Sequence, residues 1–247
     1  MYGDNAVPKL NDAWTVQPHG ALEIVAEGIW SVEGSIAMPL GRFPRRMTIV
    51  VLASGGLAVW SPIPLDEAQM ARLDALGPAG FLIVPNAGHR LDLRAWKARY
   101  PDAKVITPPG ARDAVAEAVP VDATDNVLAD PSVTLERVTG TKADEFAMLV
   151  SREDGATLIL NDILSSISHP HGLGANILAR LFGFGVKRPR TSRLVRRLYV
   201  GDAGAVAGQF RRWSEIQDLR RVIVSHVDII SDRPAEALQR AAADLRA

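Results

Sequence analysis

The chain has 247 residues, 47% apolar and 23% charged, with 28 basic residues balancing 28 acidic ones. That length buries a sizeable core, that composition is ordinary for a soluble globule, and the neutral balance selects no polyanionic partner. There is no cysteine. Disulfides, a thiolate nucleophile and cysteine metal ligands are therefore excluded, any metal site must use His and carboxylates, and a cytoplasmic setting is expected.

No basic segment followed by an apolar one opens the chain, so no signal peptide is expected. No run approaches the ~20 apolar residues that span a bilayer. Residues 1 to 20 are polar, hold Pro8 and Pro18, and read as a partly ordered arm with His19 solvated. Leu22 to Val32 alternates toward a strand. Met38 to Arg46, punctuated by Pro39, Gly41 and Pro44, reads as a loop before a strand from Thr48 to Leu52. Gly55-Gly56 makes a hairpin turn to Leu57–Trp60, which Ser61-Pro62 ends. Asp66 to Leu76 is expected to be helical, with Gly77 as its stop. Phe81 to Val84 reads as a buried strand broken by Pro85, Asn86 and Gly88, and Leu91 to Tyr100 as a helix.

Lys104 to Thr107 is a short strand and Ala111 to Ala118 a short helix. Val133 to Val138 is a strand. Glu145–Val150 and Thr157–Leu160 form a hairpin around Asp154-Gly155. Ser165 to Arg197, rich in Gly, Pro and Arg and carrying His169-Pro170-His171, reads as a lid or insertion. A helix from Asp202 to Trp213, a strand from Val222 to Val224 and an amphipathic helix from Pro234 to Leu245 complete the chain. Strand-rich halves joined by helices predict two sheets sandwiched by helices.

Three apolar strands each end in a group that can hold a metal or move a proton: His89, Asp162 and His226. The carboxyl ends of buried strands are where α/β proteins place ligands. Each residue also has a plainer role open to it. A histidine at a strand end can be a hydrogen-bonded structural residue, and Asp162 can cap the turn that follows. His169 and His171 could reach a metal through the lid or be solvated. Arg45 and Arg46 could hold an anion or form a solvated edge. No Gly-x-Ser-x-Gly elbow and no phosphate-binding Lys-Ser/Thr loop is present.

Read together, Gly56-Leu-Ala-Val-Trp-Ser-Pro62, Ile83-Val-Pro-Asn-Ala-Gly-His89, Val138-Thr-Gly-Thr141, Leu158-Ile-Leu-Asn-Asp162 and Ile223-Val-Ser-His226 resemble the metallo-β-lactamase superfamily. Trp96 with Tyr100-Pro101 is similar to a branch of it known only as a domain of unknown function. The resemblance covers about residues 22 to 235 and implies a four-layer αββα sandwich: one α/β domain over 22–247, preceded by the arm 1–21. It also exposes departures. One histidine, His89, stands where the superfamily carries a His-x-His-x-Asp-His cluster. Thr141 stands in place of a ligand histidine, and Ser61 in place of an aspartate. Asp162 matches the metal-bridging aspartate and His226 the last ligand histidine. The usual dinuclear zinc site is thus not expected.

What remains is a mononuclear site, for Zn or Mn, on His89, Asp162 and His226, with the same residues catalytic in a hydrolase of a small-molecule substrate. The alternative is a metal-free binding or assembly module on the same fold. From Arg180 to Arg212 nine basic residues accompany one acid, Asp202. That segment is a solvated face, a homo-oligomer contact or a patch for an anionic partner. Nucleic acid is not expected, because no stacking platform or recognition helix accompanies the charge.

Overall fold

The structure, a computed structural model, describes residues 10–38, 41–142, 144–164, 196–197, 200–226 and 228–246. The lid expected over Ser165 to Arg197, with His169 and His171, lies almost wholly outside the described residues, as do the first nine residues of the arm.

A six-stranded sheet runs β1 (Glu23–Ala26), β2 (Ile29–Met38), β3 (Gly41–Val51), β4 (Leu57–Trp60), β5 (Ala79–Ile83), β6 (Lys104–Ile106), in that spatial order. The first four strands are antiparallel neighbours; β4, β5 and β6 are parallel. Three helices serve this half: α1 (Glu67–Asp74), α2 (Leu93–Arg99) and α3 (Arg112–Ala116). The second sheet is four-stranded, β10-β9-β8-β7, from β7 (Val133–Arg137), β8 (Phe146–Arg152), β9 (Gly155–Leu160) and β10 (Leu219–Val224). Its last pair, β9 and β10, is parallel. Here the helices among the described residues are α4 (Ala203–Ser214) and α5 (Pro234–Arg246).

The apolar runs are continuous because both faces of each central strand are covered. Side chains alternate across a strand, so each run feeds two cores. In β4, Leu57 and Val59 join the cluster under α1 to α3, while Ala58 and Trp60 enter the layer between the sheets. In β9 and β10, Leu158, Leu160, Val222 and Val224 pack under α4 and α5, while Ile159 and Ile223 face inward. Met148 and Val150 of β8 meet Ile83 and Ile106 of the first sheet in that same layer. The order is therefore helix, sheet, sheet, helix, as expected.

Two local expectations need correction. Residues 22 to 32 are a β1–β2 hairpin, reversed where Gly28 takes φ +64°. Of the loop expected over Met38 to Arg46, Met38 instead ends β2 and Gly41 to Arg46 form the first half of β3. Proline is tolerated there for a reason visible in the pairing. β4 pairs only with Thr48–Val51, so one side of Pro44 faces no strand and no ladder needs its missing N–H.

The described part of the arm is tied down. Trp14 packs against Trp96 with the rings tilted and their centroids 5.3 Å apart, Arg99 lies over the Trp14 ring, and Trp14 Nε1 donates to the Leu65 carbonyl at 2.9 Å. His19, expected to be solvated, is covered. Its Nε2 accepts from the Asp66 amide at 3.0 Å, and its side chain is only 6% exposed. Trp14→Ala is expected to lower unfolding stability by about 2 kcal/mol, below the 3–5 of a wholly buried Trp. Urea denaturation measures it; an unchanged midpoint would mean the arm contributes nothing.

Candidate metal centre

The strands β4, β5, β9 and β10 all leave their sheets toward one rim. A hydrogen bond from the Phe146 amide to the Pro85 carbonyl, 2.9 Å, joins the two sheets there. Just past β5, Asn86 caps a 3-10 turn, Ala87–His89, by accepting from the Gly88 amide at 2.8 Å. That turn lifts His89 over the rim. Asp162 and His226 follow β9 and β10, whose ends are parallel and paired through Leu160 and Val224. One residue before each, buried Asn161 and Ser225 are hydrogen-bonded to one another.

The structure brings His89, Asp162 and His226 together. Each offers a ligand atom within 4.8 Å of the other two. His226 Nε2 is 2.8 Å from Asp162 Oδ1, and His89 Nε2 is 3.6 Å from the same oxygen. The rings are 5.8 Å apart between centroids. The outer nitrogen of each ring is also held. His226 Nδ1 lies 2.8 Å from the Pro44 carbonyl, which can only accept, so that nitrogen carries a proton. His89 Nδ1 lies 3.1 Å from the Ser61 hydroxyl.

Behind this group sits a second carboxylate that sequence reasoning did not place in the site. Glu145, 4% exposed, accepts from the Asn161 and Ile163 amides at 3.2 Å each. The Asn86 side-chain amide donates to Glu145 Oε2 at 3.2 Å and to Asp162 Oδ2 at 2.8 Å, spanning the two carboxylates. Burial, reinforced by the nearby charge of Asp162, pushes the Glu145 carboxyl up to about 8. Asp162 moves the other way. Burial alone would raise it, but the charge of His89 and the hydrogen bond from His226 hold it well below the usual range. Burial likewise opposes the charge on His226, but the hydrogen bond and charge of Asp162, the Pro44 carbonyl and the charge of Glu145 together outweigh it and raise that histidine. Burial thus favours the neutral form of Glu145, while the two histidines favour the ionised form of Asp162.

The remaining sequence candidates lie elsewhere. Arg45 is ion-paired with buried Asp92. Arg46 pairs with Glu33 and donates to Ser31 Oγ at 2.8 Å. Both arginines lie within β3 and are committed to neighbours, so they are neither an anion clamp nor a solvated edge. The Thr141 hydroxyl donates to the Val138 carbonyl at 3.0 Å, closing its own turn. Of the basic segment, Arg196 reaches the Asp244 carbonyl and Arg212 the Gln209 side chain. Most of that segment is outside the described residues. Glu145 did carry a signal, an acid directly against the apolar run Phe146–Val150. The Pro44 carbonyl carried none, since every residue has one.

Among solved structures, the chain is similar to a metallo-β-lactamase from Erythrobacter litoralis, with 16% identity, TM-score 0.61, and coverage of 90% of this chain and 96% of that one. It is similar to the metallo-β-lactamase FIM-1 from Pseudomonas aeruginosa in its mono-zinc form, with 13% identity, TM-score 0.61, and coverage of 94% and 98%. A metallo-β-lactamase from Hirschia baltica matches at 12% identity and TM-score 0.60, with coverage of 92% and 98%. The chain has the metallo-β-lactamase fold. No family model matches this metallo-β-lactamase-fold chain, and no curated protein does. Among its described residues no helix is long and apolar enough to cross a membrane.

Proposed function

We propose that this rim holds one divalent metal ion, zinc or manganese, and that the protein hydrolyses a small-molecule substrate there. The observation that carries the reading is the orientation of both imidazoles. Each turns Nε2 toward Asp162, and each has its Nδ1 held from behind, by Pro44 or by Ser61. Metal-binding histidines are held in that way, by an outer partner that fixes ring and tautomer. Two imidazoles and one carboxylate are also the donor set of a catalytic zinc with an open position. FIM-1, on the same fold, has been solved with a single zinc. A bound divalent ion supplies Lewis acidity that polarises a substrate oxygen and acidifies water.

The chain's own groups do the rest. Asp162 stays ionised and brings the negative charge. Pro44 keeps His226 protonated on Nδ1, which leaves Nε2 as its ligand atom. Glu145, holding a proton below about pH 8, keeps a second charge out of the site.

A second reading has its own observation. Both Asp162 oxygens already have partners, Oδ1 in His226 and Oδ2 in Asn86, so the cluster is satisfied without an ion. On that reading the protein is a binding module. Metal-stripped protein titrated with zinc or manganese separates the two. One equivalent bound at micromolar metal, lost on His226→Ala, is expected. Failure to bind either ion makes the binding module the correct reading.

A further inference from the structure

Ser61 stands where the chain leaves β4, and its backbone has φ +52°, a left-handed conformation that a residue with a Cβ adopts at a cost. Its amide donates to the Ile83 carbonyl at 3.0 Å, and the residue is 3% exposed. Its hydroxyl meets His89 Nδ1 at 3.1 Å, and His89 Nε2 faces Asp162. The series Ser61–His89–Asp162 has the makings of a hydrolytic triad. Two facts argue against that use. The hydroxyl is buried, and the Ser61 amide, a natural oxyanion donor beside a nucleophile, is already spent on Ile83.

We infer instead that Ser61 is a positioning residue that acts through His89, holding its ring with Nε2 inward while leaving its tautomer free to change. The contrast with His226 supplies the reason. The Pro44 carbonyl only accepts, so His226 is fixed as the Nδ1–H form whenever neutral. A hydroxyl both donates and accepts. When Ser61 donates, His89 carries its proton on Nε2, on the side that faces Asp162 at 3.6 Å. When Ser61 accepts, His89 carries its proton on Nδ1 and Nε2 is free to bind a cation. Without Ser61 the ring has no outer partner among the described residues to hold it in either state. The left-handed backbone has a place in this account too, because the Ser61–Ile83 bond fixes the direction from which the hydroxyl approaches.

This inference rests on the proposed metal site, and its test separates the two. Ser61→Ala keeps the Cβ and therefore the backbone strain; Ser61→Gly removes both strain and hydroxyl. Zinc affinity is expected to fall about 10- to 100-fold in both variants, the range for losing an outer-shell partner. Thermal stability should be unchanged or higher in Ser61→Gly, where the strain is released. A structural role for Ser61 would instead link lost affinity to lost stability. In metal-free protein, the 15N resonance of His89 Nδ1 should move in Ser61→Ala while that of His226 stays. Wild-type affinity together with an unmoved His89 resonance would overturn the inference. If wild-type protein binds no zinc, the metal reading fails, and the imidazole resonances still decide whether Ser61 holds His89.

Discussion

Replacing Asp162 with alanine should abolish metal binding, lowering zinc affinity by roughly three orders of magnitude or more, because it removes the only anionic ligand. The change reaches both neighbours. His226 loses the hydrogen bond that raises it, leaving burial, the largest influence on that ring, to favour the neutral form. Glu145 loses the nearby charge that adds to its burial, and its carboxyl falls back toward the ordinary range. Asp162→Asn separates charge from shape, keeping an oxygen near His226 while losing the affinity. The pH dependence has a definite sign. His226 sits above its ordinary 6.5 in the folded protein, so its stabilisation is fully present below 6.5 and fades as pH rises through the folded value. Asp162 sits below its ordinary 3.8, so its stabilisation is present above 3.8 and fades as pH falls toward the folded value. Calorimetric zinc titration, with unfolding midpoints across pH, measures both effects. Wild-type affinity in Asp162→Ala would remove the basis for the metal site.

Glu145→Ala is expected to be the most destabilising single change at the rim, at about 3–5 kcal/mol. It removes the carboxylate that the Asn161 and Ile163 amides donate to, each lost hydrogen bond costing about 1–3 kcal/mol, and leaves a void in a packed place. Glu145→Gln keeps an oxygen for those two amides and should lose much less. It also removes a titration. The Glu145 carboxyl is raised from 4.5 to about 8 on folding. Between those values the folded protein holds a proton that the unfolded chain has released. Stability therefore falls as pH rises, with a limiting slope of roughly 1.4 kcal/mol per unit for one proton. Glu145→Gln should lack that slope and gain on the wild type toward pH 8. Urea denaturation from pH 5 to pH 9 makes the comparison, and His226 contributes to the difference only through the part of its shift that the Glu145 charge supplies. Parallel curves for the two proteins would show that Glu145 is not protonated in the native state.

By itself the sequence determined the layers and three of the residues that meet. The runs Leu57–Trp60, Phe81–Val84, Leu158–Leu160 and Val222–Val224 are apolar without interruption because both faces of those strands are buried. A run of that kind announces a central strand, and the polar residue just beyond it announces a rim. His89, Asp162 and His226 were legible on that ground. Their mutual distances were not. They come from three chain segments spread over 137 positions, from His89 to His226, and only strand order and parallel register set them against each other. The same holds for what surrounds them. Pro44, which reads as a loop breaker, is a strand residue because β4 stops short of it, and its carbonyl became the partner of His226. Glu145 reads as an ordinary strand head. Its raised carboxyl follows from burial beside Asp162, and its opposite fate to that neighbour from which groups each one faces. Burial and partner identity are properties of the packed chain. Periodicity fixes which face of a strand a residue occupies; it does not fix what stands opposite.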